Sequence, residues 1–185
     1  MRPKTNSENL SYEIIKGEFS KAIEFSSVES EAYFNRGISK ANLQDYIEAI
    51  KDFYLAIELS PSDSKLYFNI GKCKTELLDF KSSIENYDKA IEINPYYIEA
   101  YYERGRTKAK LESYTDAVED YSKAIELNPN YIDAYYARGI DKVQTEEFMD
   151  AMLDFSIAIK LNPVFFLNGN QYLLEALFEK LSYQG

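Results

Sequence analysis

Histidine and tryptophan are absent from this sequence, and cysteine occurs once, as Cys73. Without histidine there can be no histidine-based catalytic triad, no histidine metal ligand and no side chain that ordinarily titrates near neutral pH. A single cysteine excludes a disulfide within the chain, which suits a reducing compartment. Because no histidine is present to activate it, Cys73 is interpreted as a buried structural thiol rather than a nucleophile.

Glycine and proline are also scarce, with seven and five copies, so regular structure should dominate over loops. No glycine-rich phosphate loop and no calcium-loop pattern occurs. No apolar run reaches the ~18 residues that span a bilayer, and the first residues lack the apolar segment of a secretory signal. We therefore expect no catalytic activity, no cofactor, no metal site, no membrane association and a cytoplasmic location.

Positive charge is in short supply. Lysine and arginine number 21 against 31 aspartate and glutamate residues, which leaves a formal net charge of −10. A chain this acidic repels phosphate backbones, so nucleic acid is not an expected partner. Hydrophobic residues make up 45% of the chain, as in a soluble, foldable protein.

What the sequence does contain is a period of 34 residues, maintained over four copies. Prolines stand at 61, 95, 129 and 163, glycines at 37, 71, 105 and 139, tyrosines at 33, 67, 101 and 135, and alanines at 56, 90, 124 and 158. Aromatic residues follow the same period at 46, 80, 114 and 148, and at 53, 87, 121 and 155. Such agreement between columns predicts a repeat architecture.

Each repeat is predicted to hold two helices. In the first copy, one helix covers 31–43, with Gly37 at a point where the backbone of a second helix can approach closely. The second helix covers 47–59 and carries a stripe of small and large apolar residues at helical spacing, namely Ala49, Phe53 and Ala56. Pro61 then ends it, because proline cannot continue a helix and disfavours helix in the residue before it.

These columns resemble the tetratricopeptide repeat (TPR) family, although tyrosine replaces tryptophan in the first aromatic column. The resemblance implies an all-α fold, a right-handed α-solenoid of antiparallel helix pairs. A segment ahead of the first full repeat aligns with a second helix, and an apolar segment after the last reads as a capping helix. The predicted units are a tail (1–10), a half repeat (11–29), four repeats (30–63, 64–97, 98–131 and 132–165) and a C-terminal capping helix (166–185).

An arginine and an aspartate sixteen residues apart recur in three of the four repeats. The pairs are Arg36 and Asp52, Arg104 and Asp120, and Arg138 and Asp154. The remaining repeat lacks both partners, having Ile70 and Asn86 instead. Because the two positions lie equally far from the interhelical turn, they should be level in an antiparallel pair. We predict a bridging ion pair with a structural role.

In the TPR family, the first helices line the concave face, chiefly through the second, fifth, ninth, twelfth and thirteenth residues of each repeat. The fifth residue here is always aromatic: Phe34, Phe68, Tyr102 and Tyr136. The ninth and thirteenth positions supply the basic residues Lys72, Arg106 and Lys110. Charges at the second, fifth, ninth and thirteenth positions cancel, so the rest of the chain carries the whole net charge. The resemblance thus implies a binding groove that is less acidic than the rest of the molecule.

One subfamily clamps the carboxylate terminus of chaperone peptides with lysine and asparagine side chains. The clamp lysine belongs at the fifth position, where this chain has only aromatic residues, and its asparagine at the ninth position is missing too. Asn35 and Asn69 match a single element of that clamp. Chaperone-peptide clamping is therefore disfavoured.

The sequence favours a scaffold that binds a peptide or helix of another protein, one that mixes apolar and acidic residues, in its concave groove. The aromatic stripe alternatively serves only to pack the first helices together. A different class of function is self-association, in which exposed repeat ends stack copies of the chain.

Overall fold

The computed structural model describes residues 25–163, which form eight helices joined by short turns, with no strand in that range. The helices are α1 (25–42), α2 (Tyr46–Leu59), α3 (Ser64–Glu76), α4 (Phe80–Ile93), α5 (Ile98–Lys110), α6 (Tyr114–Leu127), α7 (Ile132–Gln144) and α8 (Phe148–Leu161). From α2 to α8 each helix packs against its neighbours in sequence, and α1 contacts α2 through Arg36 and Asp52. The predicted all-α solenoid of helix pairs is confirmed. The capping helix 166–185 and the ninth helix that 11–29 implied fall wholly or mostly outside the described residues, and both stay predictions.

The start of α1 differs from the expectation. The sequence pattern predicted a helix beginning near Glu31, after a break that ended the half repeat 11–29. Residues 25–42 are instead helical without interruption. The reason lies at Ser27, which occupies the position that holds proline in the four full repeats. With no proline to stop it, the helix runs through.

Proline shapes the connections between the full repeats. Each second helix ends two residues before a proline, and the intervening residue leaves the helical region of backbone dihedral angles. Asn94, which precedes Pro95, has φ −129° and ψ 91°, and Asn128, which precedes Pro129, has φ −137° and ψ 94°. Steric contact with the following proline ring favours this extended backbone. The proline column therefore determines where α4 and α6 end.

The turn inside each repeat is built differently, on a residue with a positive φ angle. These residues are Gln44, Leu78, Glu112 and Glu146, with φ between 61° and 64°. The next residue donates its backbone N–H to a carbonyl five residues back, as Asp79 does to Lys74 at 2.9 Å. This left-handed turn closes a helix by satisfying its last carbonyls.

A glycine on each first helix receives the aromatic ring of the following helix. A Cβ atom placed on Gly71 would lie 2.6 Å from the ring of Tyr87, and one placed on Gly37 would lie 2.6 Å from the ring of Phe53. Both rings are fully buried. The prediction that a helix backbone approaches the glycine column is therefore wrong in its detail, because a side-chain ring of the second helix occupies the space that glycine leaves.

The predicted arginine–aspartate pairs are formed in all three repeats. Arg36 holds Asp52 through two hydrogen bonds of 2.8 and 2.7 Å, and Arg138 holds Asp154 through two of 2.9 and 2.6 Å. Arg104 contacts both carboxylate oxygens of Asp120 in the same way. Each pair joins the two helices of one repeat with the bidentate geometry that suits guanidinium and carboxylate.

A lysine four residues after each of these arginines binds the same aspartate, which the sequence analysis did not foresee. Lys108 lies 2.8 Å from Asp120, and Lys40 and Lys142 make equivalent contacts with their own partners. The three aspartates are buried. Hydrogen bonds from Arg36, with help from Lys40, lower the pKa of Asp52 to about 2. Each buried aspartate is therefore paired with two cations, one arginine and one lysine.

Candidate functional site

The first helices α1, α3, α5 and α7 form the inner face of the stack. Among the described helices, α3 also contacts α5, and α5 also contacts α7, whereas the second helices approach one another less closely. Elements on the inside of a curved stack are the ones that crowd together. The concave face is therefore made by the four helices that the sequence analysis assigned to it.

Three clefts follow one another along this face. The first cleft lies between α1 and α3, the middle cleft between α3 and α5, and the third cleft, of about 370 Å³, between α5 and α7. Lys72 and Glu76 line both the first and the middle cleft, while Arg106 and Lys110 line both the middle and the third. Because neighbouring clefts share residues, they form one groove along the first helices.

The four predicted aromatic residues are half-buried and do not line the three clefts. Each ring packs against the aromatic residue of the next helix that occupies the glycine gap. The ring centroids are 6.0 Å apart for Phe34 and Phe53, 5.8 Å for Phe68 and Tyr87, 5.9 Å for Tyr102 and Tyr121, and 5.7 Å for Tyr136 and Phe155. These rings therefore help to pack each repeat, and part of their surface stays exposed.

The three predicted basic residues do line the groove and are exposed. Two of them lie over rings of the aromatic column: the Lys72 ammonium is 5.8 Å from the centroid of Phe68, and the Arg106 guanidinium is 5.7 Å from that of Tyr102. The Lys110 ammonium lies 5.5 Å from the ring of Phe80. Cation and ring thus form small composite surfaces in the middle of the groove.

Two acidic side chains accompany these cations. Glu103 lies 3.2 Å from Arg106, and Glu76 lines the middle cleft beside Lys72. Three basic and two acidic residues leave the middle cleft with a small positive balance in a molecule of net charge −10. The centre of the groove is therefore the place on this face where an acidic ligand meets the least repulsion.

Cys73 is buried beside the first cleft, as expected. Burial raises the pKa of its thiol to about 11, although Lys72 partly offsets this effect. A thiol in that state is protonated at neutral pH and is a poor nucleophile. Within residues 25–163, no group of three His, Cys, Asp or Glu side chains is placed to hold a metal ion. The absence of catalytic activity and of a cofactor stays a prediction.

The structure adds one residue that the sequence analysis missed. Asp141 lines the third cleft, is only 4% exposed, and has an Oδ2 atom with no hydrogen-bond partner in the described part of the chain. Burial raises the pKa of its carboxyl to about 6. The corresponding residues of the earlier repeats are all small: Ser39, Cys73 and Thr107. A charged residue in a column otherwise held by small residues was the signal that could have revealed it.

The preceding repeat interface shows how a polar group at this position can be satisfied. The Thr107 hydroxyl lies 3.2 Å from the Thr75 hydroxyl, which in turn lies 2.6 Å from the hydroxyl of Ser83. One repeat later, the residues equivalent to Thr75 and Ser83 are Ala109 and Ala117. The positions that supply hydroxyl groups to the Thr107 network are therefore held by methyl groups one repeat later.

Sequence models of one family match much of the chain. A model described as tetratricopeptide repeat matches residues 30–63 and 64–97, and one described as TPR repeat matches residues 105–140. No curated protein sequence is similar enough to match. Within the described residues, no helix is long and apolar enough to cross a membrane.

Solved structures share the fold at low sequence identity. A crystal structure of MamA is 20% identical with a TM-score of 0.70, and the match covers 88% of this chain and 97% of that one. YrrB, described as a TPR protein with an unusual peptide-binding site, is 23% identical with a TM-score of 0.65, over 84% and 82%. The first TPR of Spaghetti (RPAP3), bound to the HSP90 peptide SRMEEVD, is 22% identical with a TM-score of 0.63, over 65% and 95%.

Proposed function

Because the chain belongs to the tetratricopeptide repeat family, we propose that it is a protein-interaction scaffold that holds a peptide or helix of a partner in its concave groove. The observation that carries this proposal is the continuous groove along α1, α3, α5 and α7, with Lys72, Arg106 and Lys110 at its centre. A groove built on rigid helices can receive an extended or helical segment without reorganising.

The chemistry of the groove favours a ligand that mixes acidic and apolar residues. Exposed cations attract carboxylates, and the open parts of the rings of Phe68 and Tyr102, which lie under two of those cations, offer apolar contact at low entropic cost. The large negative charge elsewhere repels an acidic segment from the other surfaces. Charge therefore directs such a ligand toward the middle cleft.

Two of the structurally similar proteins support a peptide-binding role. YrrB is described as having an unusual peptide-binding site, and the first TPR of Spaghetti (RPAP3) is bound to an HSP90 peptide. The chaperone-peptide clamp remains disfavoured for this chain, because aromatic rings occupy the positions of the clamp lysines. Self-association through the repeat ends involves mainly residues 1–24 and 164–185, which lie outside the described residues, and it stays the alternative.

The test uses a displayed library of random 12-residue peptides selected on the purified chain. Selected peptides should bind Arg106→Glu and Tyr102→Ala at least fivefold more weakly than the unaltered protein, which corresponds to about 1 kcal/mol. Lys89→Glu is the matched control, because it makes the same change in charge at an exposed site on the second helix α4. If both groove variants bind as the unaltered protein does, the ligand docks elsewhere and the proposal is wrong.

A further inference from the structure

A buried carboxylate at the floor of the third cleft has an oxygen atom without a hydrogen-bond donor among the described residues. Asp141 is 4% exposed, and its Oδ2 atom accepts no hydrogen bond from the described residues. Buried carboxylates in folded proteins are nearly always paired or hydrogen-bonded. A ligand that carries a hydrogen-bond donor can supply the missing partner.

The two cations that line this cleft with Asp141 have contacts with other groups. Arg106 is paired with Glu103 and lies over the ring of Tyr102, and Lys110 lies over the ring of Phe80, on the side of α3 and α4. From α6, only the phenols of Tyr114 and Tyr121 line the cleft. Burial is accordingly the one cause that raises the pKa of Asp141, with no cation to lower it.

The walls of the third cleft determine what shape of ligand group can reach the carboxylate. Ala109, Ala137, Ile140 and the two phenol rings form the apolar part of the walls, and Arg106, Lys110 and Gln144 complete the lining. The volume of about 370 Å³ is ample for one long side chain. A lysine or arginine combines an apolar stem, which suits the apolar part of the walls, with a charged tip that donates several hydrogen bonds to a carboxylate.

We propose that Asp141 is the floor of a subsite that binds a lysine or arginine side chain of the partner segment. This inference rests on the proposed function and adds a specificity element to it. The ligand carries an acidic residue for the basic centre of the groove and a basic residue for the third cleft. Two opposite charges placed one repeat apart fix the direction in which the segment lies.

The experiment replaces each lysine or arginine in the library-selected peptides by norleucine, which keeps the stem and removes the charge. Both peptide forms are then titrated against the unaltered protein and against Asp141→Asn. We expect one such replacement to weaken binding at least tenfold on the unaltered protein and less than twofold on Asp141→Asn. Asp150→Asn, an exposed site on α8, is the control and should behave as the unaltered protein does.

The outcomes separate this inference from the proposed function. One outcome is that peptides bind Arg106→Glu more weakly and yet respond to the norleucine replacement equally on the unaltered protein and on Asp141→Asn. Such a result agrees with the proposed scaffold function and contradicts the Asp141 subsite. A selection that yields no groove-binding peptide overturns both.

Carbon-detected NMR titration of the Asp141 carboxyl, in the free protein and with a selected peptide bound, provides a second measurement. A pKa near 6 in the free protein, falling by at least one unit when a selected peptide binds, supports the subsite. A pKa near the ordinary value of 3.8 in the free protein would show that the carboxylate already has partners or water, and would overturn it.

Discussion

The hydroxyl of Thr107 lies 3.2 Å from the hydroxyl of Thr75 and links α5 to α3 inside the concave face. One repeat further along, the same two positions are held by Asp141 and Ala109, and the link is lost. The hydroxyl link is thus particular to the interface between the second and third repeats, since the preceding interface has Ala41 and Cys73 at these two positions. The buried carboxylate found one repeat later lies beside the largest of the three clefts along the groove.

The first prediction concerns the stability of the free protein. Because the folded-state pKa of Asp141, about 6, lies above its ordinary value of 3.8, folding disfavours the ionised form. The loss of folding free energy that comes from ionising Asp141 is absent below pH 4, grows as the pH rises toward 6, and reaches its full value above pH 6. A shift of about two pKa units corresponds to a loss of stability of at most about 3 kcal/mol.

Asp141→Asn should therefore raise the free energy of unfolding by about 1–3 kcal/mol at pH 7.5, and the gain should vanish near pH 4. Urea unfolding at a series of pH values measures this difference. Asp150→Asn serves as the control and should show no such trend. A variant that is less stable than the unaltered protein at pH 7.5 would mean that the Asp141 carboxylate has partners in solution.

The second prediction concerns the arginine–aspartate pairs. Removing Arg104 leaves the nearly buried carboxylate of Asp120 with Lys108 as its remaining ionic partner, and it also removes the contact between Arg104 and Asp88 of the preceding repeat. Arg104→Ala should lower the free energy of unfolding by about 1–3 kcal/mol without unfolding the chain. This exceeds the 0–1 kcal/mol that an exposed pair would justify.

Lys123→Ala is the matched control, since the pair of Lys123 with Glu126 lies on the exposed face of the neighbouring helix α6. Its loss should leave the thermal midpoint almost unchanged. Equal destabilisation by the two substitutions would show that burial of Asp120 does not set the strength of the pair.

The sequence predicted the repeats well because the residues that define them act locally. Proline ends a helix wherever it stands, so the proline column predicts the helix ends. Glycine is needed wherever a ring must fit against a helix, so the glycine column predicts the sites of close contact. The extension of α1 was not predicted, although it obeys the same rule, because Ser27 stands where the full repeats have proline. The ion pair between Arg104 and Asp120 was predictable because both partners lie in one repeat.

Contacts between repeats were harder to predict. Thr75 and Thr107 stand at different positions of their repeats, so no single column shows that they meet. The same difficulty hid Asp141, whose missing partner is decided by Ala109 in the preceding repeat. The aromatic column illustrates another limit: spacing placed Tyr102 on the inner face, but only packing against Tyr121 shows how much of its ring is covered.

The measurement that tests the central claim most directly is a map of backbone amide shifts in the ¹⁵N-labelled chain as a selected peptide is added. Binding in the groove should perturb amides of the first helices, most strongly around Lys72, Arg106 and Asp141, and should leave those of α2, α4, α6 and α8 nearly unchanged. Perturbations confined to the second helices, or to residues near the two ends of the chain, would contradict the groove as the binding site.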